Sequence, residues 1–186
     1  PLSLHFVNNL GKAFKDYIQE NDRPNYCIFF NSINGILSLI NTFGLKDGAR
    51  VFCSEEGTAA LKKQGVDASC VFTSCKRYNF FTSSFYNGID LLMNENEPDV
   101  LILTDQTYAD FTIVDPHVDT YQILGRFRNG FNKATHIVNV KNPGKIVLDD
   151  TALDRVKVSA LKYKVVKELL EGTADPFLRD EVFGEA

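Results

Sequence analysis

Two stretches of the sequence carry side chains at spacings that can do chemistry. The first is Phe80-Phe81-Thr82-Ser83-Ser84-Phe85-Tyr86-Asn87-Gly88-Ile89-Asp90. Its hydroxyls follow an apolar run of strand type, so Thr82 and Ser83 fall at the carboxyl end of a strand, where open α/β sheets bind ligands. Small hydroxyls and free backbone N–H groups in such a turn suit phosphate oxygens. Gly88 permits a close approach that other residues resist, and Asp90 can accept a hydrogen bond from a sugar hydroxyl or an arginine. The second stretch is Tyr121-Gln122-Ile123-Leu124-Gly125-Arg126-Phe127-Arg128-Asn129. A helix opening near Asp119 and running to about Arg128 puts Gln122 and Arg126 four apart on one face. Gly125 inside that helix costs about 1 kcal/mol relative to Ala, which calls for a packing or approach reason. The planar, permanently charged fork of arginine suits charge developing on a transferring phosphoryl group. Each stretch also has a plainer reading: a strand-to-helix turn with hydroxyl caps, and a solvated helix end with arginines at its negative pole.

Other chemistries have no carriers. There is no GxxxxGK[ST] phosphate loop, no GxGxxG after a strand and no GxSxG elbow. His5, His117 and His136 lack triad companions and read as surface or cap residues. Cys27, Cys53, Cys70 and Cys75 form no CxxC pair and have no histidine at metal-ligand spacing. They read as reduced core cysteines, and no metal site is expected.

The elements that must position these residues follow from hydrophobic periodicity. Leu4, Val7, Leu10, Phe14 and Ile18, three or four apart, predict an amphipathic helix ending near Asn21. Tyr26 to Phe30 is a short apolar run, a strand buried on both faces. Asn31 or Ser32 can cap a helix carrying Ile33, Ile36, Leu37, Ile40 and Phe43, ended by Gly44. A strand over 49–53, a cap at Ser54 and a helix over 55–64 closed by Gly65 repeat the pattern. Further strands are predicted over 70–73, 78–81, 99–104, 111–114 and 135–140. After Pro143 come an edge strand over 145–148 and a longer helix starting at Asp150 or Thr151 and ending at Gly172. Its Lys157, Lys164 and Lys167 interleave with Glu168 and Glu171 as a solvated face. Strands alternating with helices of about ten residues predict an α/β, three-layer fold with a mostly parallel central sheet. The division is 1–142 for this domain and 143–186 for a mainly helical C-terminal extension.

Composition bounds the rest. The chain has 186 residues, 20 Lys+Arg against 24 Asp+Glu, and a formal net charge of −4. Hydrophobic residues make up 44%, enough to exclude a disordered or low-complexity scaffold. The acidic balance excludes a broadly basic nucleic-acid coat, so any polyanion contact is local. No apolar run approaches the roughly 18 residues of a membrane span, and a cytoplasmic location is expected. The chain opens on Pro1 and its only methionine is Met93, which reads as a segment of a longer protein.

Taken together, the two stretches resemble motifs V and VI of superfamily 2 helicases: Thr82-x5-Gly88-x-Asp90, then Gln122-x-x-Gly125-Arg126-x-Arg128. The Tyr26 to Ser32 segment looks like motif IV, and Ser54 occupies a place like motif IVa. The resemblance covers residues 6–140, in order, and implies the second, C-terminal RecA-like domain of such an enzyme. It implies that Thr82 and Ser83, with Ser32 and Ser54, touch a nucleic-acid backbone. It places Gly88 and Asp90 near a nucleotide in an interdomain cleft, where Gln122 and Gly125 meet the nucleotide and Arg126 serves as an arginine finger. The usual pattern has a further catalytic arginine three residues after Arg126; here Asn129 stands there, and the resemblance implies that Arg128, one residue sooner, takes over that role beside Arg126. Asn87 also stands where many relatives have arginine, which fits a divergent member. The implied cofactor is ATP with Mg²⁺, bound mainly by an N-terminal RecA-like domain of the same protein. The implied partners are that domain and single-stranded or duplex nucleic acid. The competing expectations are a catalytically degenerate RecA-like binding or regulatory module and a small-molecule binder using the Thr82 to Asp90 turn.

Overall fold

The computed structural model describes residues 2–86, 90–92, 97–115 and 118–143. Gly88, His117, the strand expected over 145–148 and the helix beyond it lie outside the described residues. The chain divides into two compact units, Pro1–Gly144 and Lys145–Ala186, and the described residues lie in the first.

Seven strands form one sheet in which every pairing is parallel, in the order β1-β7-β6-β2-β5-β3-β4. In chain order the elements are β1 (Leu2–Val7), α1 (Leu10–Glu20), β2 (Tyr26–Phe29), α2 (Ile33–Thr42), β3 (Ala49–Phe52), α3 (Glu55–Lys63), β4 (Ala68–Ser69), β5 (Tyr78–Phe81), β6 (Asp99–Asp105), α4 (Asp119–Leu124) and β7 (Lys133–Asn139). Side chains alternate across the sheet, and the two apolar clusters show it. Tyr26, Ile28, Val51, Phe80, Leu101 and Ile137 join Phe14, Ile36, Ile40 and Leu61 of α1–α3 on one face. Cys27, Phe29, Phe52, Phe81, Val100 and Ile102 pack under Phe85, Tyr86, Ile123 and Phe127 on the other. This is the expected three-layer α/β arrangement, and it explains why β2 and β6 are apolar at successive positions.

Four expectations give way. The first helix is two elements: Leu4 and Val7 lie in β1, paired in parallel with β7, and the helix starts only at Leu10 behind an Asn9 cap. The helical spacing from Leu4 to Leu10 is a coincidence, because Leu2, Leu4 and Phe6 also keep the period of a strand. The 70–73 strand is absent, with pairing confined to Ala68 and Ser69. At 111–114 there is a 3₁₀ turn, Asp110–Thr112, instead of a strand. Its Thr112 hydroxyl donates to the Ala109 carbonyl (2.8 Å) and accepts from the Asp105 amide (3.0 Å), satisfying locally what a ladder would have supplied. Finally, α4 stops at Leu124, where Gly125 forms the cap, so Arg126 to Arg128 are not helical.

A row of phenylalanines fixes the register at the carboxyl edge. Phe29, Phe81 and Phe52 face one another across β2, β5 and β3, with ring centroids 4.9 and 5.0 Å apart and planes within 17°. Such pairs add about 0.5–1.5 kcal/mol each beyond their burial. The chain therefore leaves all three strands at one level.

Candidate functional site

The three adjacent strand ends deliver the hydroxyls. Ser32 follows β2, Ser54 follows β3 and Thr82–Ser84 follow β5, the strand between them. They converge on one pocket of about 310 Å³ lined by Asn31, Ser32, Ile33, Ser54, Thr82, Ser83, Ser84 and Phe111. All four residues expected to touch a nucleic-acid backbone are in that lining. Ser32 Oγ accepts from the Gly35 amide (3.0 Å) and Ser54 Oγ from the Gly57 amide (3.3 Å), the N-cap bonds of α2 and α3. A capping serine spends a lone pair and keeps its O–H, which can donate to an anionic oxygen. Two helix N-termini thus open onto the pocket, each with partial positive charge. They are unequal: α3 carries Glu55 and Glu56 in its first turn, whereas α2 has no acidic residue there.

Asn31 holds the pocket's wall. Its Nδ2 donates to the Phe111 carbonyl (2.8 Å) and its Oδ1 accepts from the Ser83 amide (3.3 Å). Thr82 Oγ1 lies 3.0 Å from Ser84 Oγ, so the two hydroxyls share one proton between them and leave another to donate. In the sequence Asn31 reads only as an alternative cap, and Ser84 and Phe111 are not among the candidate site residues. The Asn31-Ser32 pair after a buried strand was the available signal. Phe111 had none, because its approach depends on the turn that replaced the expected strand.

The arginine stretch joins the end of the Thr82–Asp90 segment, and none of its residues lines that pocket. Leu91 forms a parallel bridge with Phe127, its amide donating to the Arg126 carbonyl at 2.8 Å. Arg128 Nε donates to Asp90 Oδ1 at 2.9 Å. Both partners are more than half exposed or close to it, at 58% and 50%, so the ion pair stabilises by at most about 1 kcal/mol. Arg126 is half-buried, and its Nε is shielded from water with no hydrogen-bond partner. Gln122 sits in α4 and Arg126 beyond its end, which overturns the shared helical face. Gly125 needs no interior tolerance; it ends the helix, and a Cβ there would lie 3.1 Å from the Tyr121 carbonyl oxygen. Asp119 is the first residue of α4, after Val118 at the N-cap position. Its carboxylate accepts from the Asp115 amide (3.0 Å) while Asp115 accepts from the Val118 amide (2.7 Å), a reciprocal brace at the helix entry.

Two further expectations are corrected. His136 is a core residue, 1% exposed, with Nε2 3.0 Å from Thr104 Oγ1. Burial drives its pKa down to about 4, so it is neutral at physiological pH. Of the four cysteines, Cys27 and Cys53 are buried, but Cys75 is half-buried and Cys70 exposed. Burial pushes the Cys75 thiol up to about 11, with nearby Arg50 opposing, so it is a poor nucleophile near neutral pH. Among the described residues no group of three His, Cys, Asp or Glu side chains could hold a metal ion, and no helix is long and apolar enough to cross a membrane.

No protein-family model matches the chain, and no curated protein matches it at a significant level.

Proposed function

We propose that this chain is the C-terminal half of a nucleic-acid-dependent ATPase of the superfamily 2 helicase type. One observation carries the reading. Ser32, Ser54, Thr82 and Ser83, assigned to a nucleic-acid backbone on motif resemblance, meet in a single pocket at the carboxyl edge of the sheet. Residues scattered over 52 positions would not converge there unless the strand order put β5 between β2 and β3. Hydroxyls and amides at helix N-termini bind phosphate oxygens without a basic exterior, which reconciles the role with a net charge of −4.

The arginine stretch supports the nucleotide half of the reading. Arg126 presents a desolvated donor that no protein acceptor uses. Leaving such a group unmade costs about 1–3 kcal/mol, and a phosphate oxygen would relieve it. ATP with Mg²⁺ would supply the phosphoryl group and its neutralising charge. Arg126 would stabilise the charge on the equatorial oxygens, Gln122 would orient beside it, and Asp90 would hold Arg128 in place. The phosphate loop and metal ligands would belong to an N-terminal domain, and closure of the two halves would couple turnover to movement along a strand. A cytoplasmic location belongs to the same proposal.

A second reading, a regulatory module without turnover, is favoured by Arg128. That side chain is already paired with Asp90, so a single arginine is left for phosphoryl chemistry. ATP hydrolysis decides between the two. The chain alone should not turn over ATP. Joined to its ATP-binding domain it should, and Arg126→Ala should lower kcat by about 10³-fold or more. Turnover by the chain alone would end the split-site reading, and a loss under about tenfold would remove Arg126 from the finger role.

A further inference from the structure

Next to the hydroxyl pocket lies a second cleft of about 250 Å³, whose lining includes Phe30, Asn34, Gly35, Ser38, Asp105 and Tyr108. The two cavities alternate along one turn of chain. Phe30, Asn34 and Gly35 line the second cleft, while Asn31, Ser32 and Ile33 line the hydroxyl pocket. They also share an aromatic ridge. Tyr108 belongs to one and Phe111 to the other, and the two rings meet edge to face at 6.2 Å. We propose that this cleft takes a nucleobase of a single strand whose backbone lies in the hydroxyl pocket. The inference rests on the backbone reading of that pocket and adds a base-binding subsite to it.

The cleft has the shape and chemistry of a slot for a flat heterocycle. Phe30 lies against the first turn of α2, and a Cβ on Gly35 would collide with its ring, so glycine is what lets the ring lie there. Tyr108 is 56% exposed and Phe111 60%, large aromatic areas left to water beside a cavity. Aromatic faces of this kind stack bases with little regard to sequence. At about 250 Å³ the cleft is smaller than the roughly 300–1,000 Å³ typical of drug-sized ligands, which suits one base rather than a whole nucleotide.

The rim selects against other occupants. Asp105 Oδ1 accepts from the Thr107 amide (3.1 Å), the Thr107 hydroxyl (2.7 Å) and Asn139 Nδ2 (2.8 Å), and among the described residues no bond falls on Oδ2. A carboxylate there repels phosphate, so the backbone stays in the neighbouring pocket. An aliphatic side chain would leave Asp105, Asn34 and Ser38 facing apolar surface. A base stacks on the ring and offers N–H donors at its edge.

The test compares two fluorescently labelled single-stranded oligonucleotides with the same phosphates, one carrying bases and one abasic, by anisotropy at low salt. The base-carrying strand should bind about tenfold or more tightly than the abasic one. Tyr108→Ala, at an exposed position, should bring the first down to the second and leave abasic binding unchanged, while Tyr108→Phe should keep the difference. Equal binding of both strands by the unaltered chain, or a difference that survives Tyr108→Ala, would overturn the base slot and leave the backbone reading intact. No binding of either strand would overturn both.

Discussion

At the scale of single residues, the polar atoms that matter are those whose partners come from far along the chain or are missing. His136 is the clearest titrating case. Its ring is buried between β6 and β7, bonded to Thr104, with Nδ1 unpartnered. Its folded pKa is about 4 against an ordinary 6.5, so between those values the unfolded chain binds a proton that the folded chain does not. Stability should therefore fall as pH drops from 6.5 towards 4, by up to about 3 kcal/mol. Urea unfolding midpoints across that range should show the fall, and His136→Leu should flatten it. An unchanged slope in the variant would assign acid sensitivity to the carboxylates. None of this was legible in the sequence, because a lone histidine between Thr135 and Ile137 in an apolar run is equally a surface residue on an edge strand. Its burial depends on β1 making β7 an interior strand. The short-range signals were better. The hydroxyls at 32, 54 and 82–83 announced themselves by following apolar runs, and those positions line the pocket.

At the scale of elements, the sequence is legible where a run has one periodicity and ambiguous where two overlap. The strands β2, β3, β5, β6 and β7 each carry a compact apolar run between turn residues, and the helices α2 and α3 end at glycines with φ of +63° and +71°, the conformation that favours glycine. The first element failed because Leu4, Val7 and Leu10 satisfy a helical spacing while Leu2, Leu4 and Phe6 satisfy a strand. The helix at 119 is shorter than expected because Leu91 claims the backbone of Arg126 to Arg128 through the Leu91–Phe127 bridge. Elements also decide how the pocket works. Ser32 and Ser54 make equivalent caps, so replacing either by alanine should cost about 1 kcal/mol of stability. Their effects on nucleic-acid binding should differ. Ser32→Ala should weaken binding more, because α3 begins with Glu55 and Glu56 and repels the phosphate that α2 attracts. Paired unfolding and anisotropy measurements check both halves. Equal losses of affinity would mean that the helix ends do not act through their charge.

At the scale of the molecule, a seven-stranded parallel sheet puts its strand ends, and the starts of the helices α1–α3 that follow β1–β3, on one edge, and the phenylalanine row brings three of those ends level. Under the proposed function, the acidic whole is compatible with a polyanion because hydroxyls, amides and helix ends gathered at that edge would make the contact. The pocket and the arginine stretch share no lining residue; the proposed function gives a strand's backbone to the first and a nucleotide to the second. The most direct test of this account is a salt titration of single-stranded oligonucleotide binding by the chain, followed by anisotropy, beside Thr82→Val and Ser32→Ala. The account predicts binding that weakens only shallowly with salt, because hydroxyls, amides and helix ends rather than Lys or Arg line the pocket, and a loss of about tenfold or more in each variant. Absence of binding at low salt, or binding that neither variant changes, would contradict it.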